Sequence, residues 1–207
     1  MSDRIICGYK PAGIGANPAR WPAGAPIRYR IALPGLPGIE RDQFRAVFRA
    51  ACDSWESVCG IEFQEVDTRE TFVVTTMTQA PGGVLADCTL PHQFPVRMRV
   101  DAAEQWAIGK PIPSNRIGLQ IVLMHELGHG LGLDHGGDSL MKPVYDPRME
   151  IGPWERQLVV QSYGPPKPKQ PTTPVDPMAD QELFRLVTRA GGLVLLVREG
   201  LTVERMR

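Results

Sequence analysis

No stretch of this 207-residue chain is apolar for long enough to cross a bilayer. Neither sign of charge prevails: 23 basic side chains face 23 acidic ones. The basic surplus that a nucleic-acid or membrane-surface partner would require is therefore missing. Residues 1–10 hold only Ile5, Ile6 and Cys7 as a short apolar run, so no cleavable secretory signal is recognised there, and the compartment stays open. Cysteine is sparse. Cys7, Cys52, Cys59 and Cys88 are widely spaced, and no two stand at CxxC distance. A cysteine-built zinc site is not expected, and on composition the thiols read as buried and idle. No internal repeat is visible.

Glycine and proline are plentiful, 21 and 20 residues, and imply long loops around a modest core. The length suits one well-buried domain with something small appended. Residues 1–26 form an irregular, Gly/Pro/Ala-rich lead-in. Residues 27–31 alternate as a first strand. Phe44, Val47, Phe48, Ala51, Cys52 and Trp55 then recur at helical spacing, which predicts an amphipathic helix over 40–58 ended at Gly60. Short strands are expected at 61–66, 71–77, 83–86 and 96–100. A helix capped by Ser114 or Asn115 follows over 117–131, and a last helix over roughly 152–163. The order is that of an α+β domain over 27–164. Residues 165–177 form a Pro-rich linker, and 178–207 a short helix (181–190) with a β-hairpin (193–197 and 201–204). So small a tail can hardly form its own core, and it is expected to dock on the main domain, on a copy of itself or on a partner.

Three of the four histidines fall between positions 125 and 135, in the run His125-Glu126-Leu127-Gly128-His129-Gly130-Leu131-Gly132-Leu133-Asp134-His135. Histidines at i and i+4 share one helix face and can reach one ion. Gly132 stands where the helix must stop and turn back, which lets His135 supply a third nitrogen. Three neutral imidazoles leave a fourth vertex open, the arrangement of a catalytic zinc rather than a structural one. One zinc held this way acidifies a water and polarises a carbonyl, and Glu126, beside the first ligand, is the base. The fourth histidine, His92, is isolated and reads as an ordinary loop residue.

This run resembles the long zinc signature of the metzincins. Ser139-Leu140-Met141-Lys142-Pro143 resembles their Met-turn, with Met141 as the apolar floor. Pro143-Val144-Tyr145 is similar to the wall of the primed-side pocket in the matrixins. Arg20-Trp21, Trp55-Glu56, Phe63-x-Glu65-Val66, Gly83-Val84-Leu85-Ala86, Val100-Asp101-x-x-Glu104-x-Trp106 and Tyr163-Gly164 extend the likeness over nearly all of 17–164. The resemblance implies a small, mostly parallel twisted sheet with three helices, and a zinc endopeptidase acting on protein or peptide substrates. It also implies that Leu85 and Ala86 lie on the edge strand that binds substrate, and that Ile121 helps set the depth of the S1′ pocket. Cys7-Gly8 resembles the latch cysteine of matrixin zymogens, a thiolate that would block the zinc. Two features depart from the family. Asp87 stands where matrixins usually have a histidine for a second, structural zinc, and no acidic calcium loop is found in 78–83, so neither ion is carried over. The competing reading is a non-catalytic, zinc-stabilised binding or assembly module working through its C-terminal tail.

Overall fold

The computed structural model describes residues 5–7, 20–79 and 83–168, and the strands Phe184–Thr188 and Val194–Arg198. The chain divides into two units, Met1–Lys167 and Pro168–Arg207.

In the first unit, β1 (Ile27–Ile31) alternates as its sequence requires, burying Ile27, Tyr29 and Ile31 on one face. With β2 (Phe63–Glu65), β3 (Phe72–Met77), β4 (Ala86–Cys88) and β5 (Val96–Asp101) it forms a five-stranded sheet of order β2-β1-β3-β5-β4. Every pairing is parallel except that of the edge strand β4 with β5. The register sets Tyr29 opposite Phe72 and Phe72 opposite Val96, so one apolar face is continuous across the sheet. Helix α1 (Arg41–Glu56) lays Phe44, Phe48, Ala51, Cys52 and Trp55 on that face, with the Tyr29 and Phe48 rings 4.9 Å apart. Its start is fixed by Gln43, whose side chain accepts the Glu40 N–H at 2.9 Å.

Helix α2 (Leu119–Gly130) packs against α1 and is buried on nearly every side, and α3 (Pro153–Tyr163) closes the unit. The cap expected at Ser114 or Asn115 is replaced by Gly118. Ile117–Gly118 pairs with Trp106–Ala107 instead, and extended backbone there holds the helix back to Leu119. The strand expected at 83–86 is shifted to Ala86–Cys88. β5 ends at Asp101, whose N–H reaches Leu85 O at 2.9 Å, so nothing earlier has a ladder to join. The lead-in is not irregular throughout: Ile5 bridges Val144 and Cys7 bridges Ala86.

In the second unit the helix expected over 181–190 is a strand instead, β6 (Phe184–Thr188), antiparallel to β7 (Val194–Arg198). The β-branched Val187-Thr188 pair favours that outcome over a helix. The expected strand at 201–204 and most of the linker lie outside the described residues. Among the described residues, no helix is long and apolar enough to cross a membrane.

Candidate metal centre

α2 ends in a turn that its glycine makes possible. Gly132 takes φ +91°, its N–H bonds His129 O at 2.8 Å, and the Leu133 N–H bonds Gly128 O at 2.9 Å. This pair of bonds is the Schellman closure of a helix. It reverses the chain and returns His135 towards the two histidines on α2.

The three imidazoles converge. His129 Nε2 lies 3.2 Å from His125 Nε2 and 3.2 Å from His135 Nε2. Behind them, His125 Nδ1 donates to Leu140 O at 2.7 Å and His129 Nδ1 to Leu133 O at 2.8 Å. A carbonyl only accepts, so these two rings carry their proton on Nδ1 and turn bare Nε2 lone pairs inward. Burial keeps them neutral: it is the main cause holding His125 down to about 3 and His129 well below the ordinary histidine range, while half-buried His135 is lowered in the same sense. Lone pairs facing one another repel unless a cation lies between them. Tetrahedral zinc with Zn–N bonds of 2.0–2.1 Å spaces its nitrogens about 3.3–3.4 Å apart, close to the separation found. The donor set fits zinc.

The structure also brings Cys7 here. Its sulfur and the ligand nitrogens of His125, His129 and His135 all lie within 4.8 Å of one another, and this is the one group of its kind among the described residues. All four cysteines are buried thiols outside any disulfide. Cys59, for one, is raised to about 11 by burial, but Cys7 is not idle. The segment that carries it lies in a groove between two walls. Ile6 O accepts from Leu85 N–H (2.9 Å) and Ala86 N–H (3.0 Å), while Ile6 N–H donates to Pro143 O (2.8 Å).

Glu126 is fully buried beside His125, and neither carboxylate oxygen has a hydrogen-bond partner of good geometry. Desolvation, then the charge of Asp87, pushes its pKa well up, and the neighbouring Cys7 thiol works the other way. Met141 is fully buried beneath the site. A Cβ added to Gly128 would run into its sulfur, so glycine at the centre of the motif is what admits the floor. Pro143 and Tyr145 line a cleft of about 510 Å³ formed by residues 142–148. The Tyr145 hydroxyl accepts the Gly118 N–H at 2.8 Å, near the buried Ile121. Asp87 is held by the Arg99 fork, with Nε to Oδ1 at 2.9 Å.

Three residues hold the site in ways the sequence reading did not give: Trp21 and Tyr163 entered it only through the family likeness, and Glu155 not at all. Glu155, fully buried on α3, accepts from Ser139 Oγ (2.7 and 2.6 Å), Met141 N–H (3.0 Å) and Gly152 N–H (2.9 Å), and so pins the Met-turn. Its position three residues after the helix cap was the available signal. Trp21 Nε1 donates to Gly130 O (2.7 Å) and Tyr163 OH to Leu131 O (2.6 Å), which satisfies carbonyls at the end of α2.

Comparison with known proteins gives the family. The matrixin family model matches residues 20–154, most of the chain. Human matrix metalloproteinase-19 is 30% identical over 140 residues, covering 60% of this chain and 27% of the relative. Metalloendoproteinase 1 of Glycine max is 30% identical over 146 residues, 62% of this chain and 47% of the relative. Stromelysin-3 of Rattus norvegicus is 29% identical over 156 residues, 68% of this chain and 31% of the relative. The chain thus spans less than half the length of these curated relatives. The chain belongs to the matrixin family, whose cofactor is zinc, and its cluster of His125, His129 and His135 fits that ion.

Proposed function

We propose that this chain is a zinc-dependent endopeptidase that cleaves extended polypeptide segments, with Glu126 as its general base. The observation that carries this reading is the pairing of three converging ring nitrogens with a buried, unsatisfied carboxylate on the next residue. A structural zinc has no use for such a carboxylate, and burying it costs about 1–3 kcal/mol. His125, His129 and His135 would hold the ion, which when bound supplies the Lewis acidity that activates water and polarises a carbonyl.

The chain's own residues do the rest. Glu126 takes the proton of the attacking water and returns it to the leaving amine, and its burial makes it a stronger base for that task. Leu85 N–H, Ala86 N–H and Pro143 O offer main-chain donors and an acceptor on two facing walls, a track for a peptide in extended form. Residues Ile5–Cys7 already lie along it, which supports the track as one that accepts extended chain. Ile121 and Tyr145 would limit the side-chain pocket beside it, and Met141 would floor the ion.

Cys7 is the latch in this reading. Its sulfur sits among the imidazoles and would take the vertex that water needs, while its own backbone fills the track. The same four-donor set is also what a closed, non-catalytic zinc module would have, with the C-terminal tail as its working part. Peptide-library cleavage by the zinc-loaded full chain carrying Cys7→Ser, with and without chelator, separates the two. Chelator-sensitive cleavage is expected, and its absence would favour the module.

A further inference from the structure

His135 hangs on the weakest piece of backbone in the centre. It lies outside the helix, half-buried, and is followed by Gly136-Gly137, two residues with the greatest freedom a chain can have. Gly137 uses that freedom, at φ +66°. Gly136 does not take a left-handed conformation, so something other than φ requires it to be glycine.

The requirement is the indole of Trp154. A Cβ on Gly136 would meet Trp154 Cζ2 at 2.7 Å and Cη2 at 2.8 Å, and one on Gly137 would meet Cε3 at 3.3 Å and Cδ2 at 3.4 Å. The ring therefore lies across both glycines. From the other side, the Gly136 N–H reaches Met141 O at 3.2 Å. Trp154 is the neighbour of Glu155, which grips Ser139 and Met141 at the far end of the same loop. The first turn of α3 thus holds the His135–Met141 loop at both ends, by a carboxylate at one and an aromatic plate at the other.

We propose that Trp154 is a positioning residue for the metal centre. It restrains the Gly136–Gly137 link so that His135 is pre-set for zinc rather than recruited from a loose loop. The proposal rests on the three-histidine zinc reading and adds to it a residue that touches neither metal nor substrate. Pre-organisation of this kind acts on metal affinity, where partners of the ligands are worth about 10–100-fold.

The test is zinc affinity and zinc release to a chromophoric chelator, measured on the full chain beside thermal unfolding of the zinc-free protein. Trp154→Ala should weaken zinc on the order of 10-fold and speed its release. Trp154→Phe, which keeps a smaller plate, should fall between it and the parent, and it gives the same reading if the alanine variant does not fold. Gly136→Ala alone should also weaken zinc, because its methyl group displaces the ring. Combined with Trp154→Ala it should recover part of the loss, since alanine stiffens a link no longer covered. Unchanged zinc affinity in both Trp154 variants, with only a lower unfolding temperature, would overturn the proposal, as would strictly additive losses in the double variant. A parent protein that takes up no zinc would sink the metal reading itself; one that binds zinc regardless of residue 154 would sink this inference alone.

Discussion

Cys7 faces Ala86 across a parallel β-bridge, and that bridge delivers the Cys7 sulfur to the three imidazoles. In the proposed reading the backbone pairing and the sulfur would block the same site twice, once along the peptide track and once at the ion. Replacing Cys7 by Ser removes the better zinc ligand but leaves the pairing. If about nine in ten molecules are latched, basal cleavage should rise by up to about 10-fold, and by less where the retained pairing still fills the track. Turnover of a quenched peptide by the zinc-loaded full chain measures this, and no rise would end the latch.

In the proposed mechanism Glu126 sets activity against stability. Glu126→Ala should lower turnover by about 10²–10⁴-fold while zinc content stays at one ion per chain. It should also raise stability by about 1–3 kcal/mol, because a buried carboxylate without a good partner is removed. Metal analysis, turnover and denaturant unfolding read the three effects separately. Persistent cleavage would refute the role, and loss of zinc would show that the variant had damaged the site.

Glu155 carries the Met-turn. Its carboxylate answers three donors from Ser139, Met141 and Gly152, so Glu155→Ala leaves buried donors unpaired, at a cost of about 2–4 kcal/mol. Glu155→Gln should rescue little, since an amide must turn an N–H₂ towards donors on one side. Chemical denaturation of both variants decides the matter, and a glutamine variant as stable as the parent would show that charge and acceptor count do not matter there.

What the sequence made legible follows the range of the interactions. The His125/His129 pair, the stop at Gly132 and the apolar stripe from Phe44 to Trp55 are set by helix geometry within a few residues, and a period reveals them. The start of α2 was misplaced because Ile117–Gly118 is claimed by Trp106–Ala107, a pairing that leaves no local mark. Glu155 acts on residues up to 16 positions away, and Cys7 meets partners more than a hundred positions away. A spacing rule cannot show such contacts. Likeness to a family suggested the second, while the capping position of Glu155 pointed only as far as Gly152.

Acid should work against both the fold and the metal. An unfolded histidine titrates near 6.5, whereas folded His125 is held down to about 3 and His129 is also well below. As pH falls through 6.5 the unfolded chain gains protons that the folded chain refuses, so stability drops by about 1.4 kcal/mol per pH unit for each such ring. Zinc is lost in the same window, because protons compete for the nitrogens it needs. Glu126 has the opposite sign. Its folded pKa is raised, so acidification through that value relieves a burden present at neutral pH. Two buried rings outweigh one carboxyl, and the unfolding temperature of the zinc-free protein should fall steadily from pH 7 to pH 5. In Glu126→Ala the opposing contribution is gone and the fall should be steeper. A flat profile in the parent would contradict the neutral, buried imidazoles, and an equal slope in the variant would contradict the raised carboxyl.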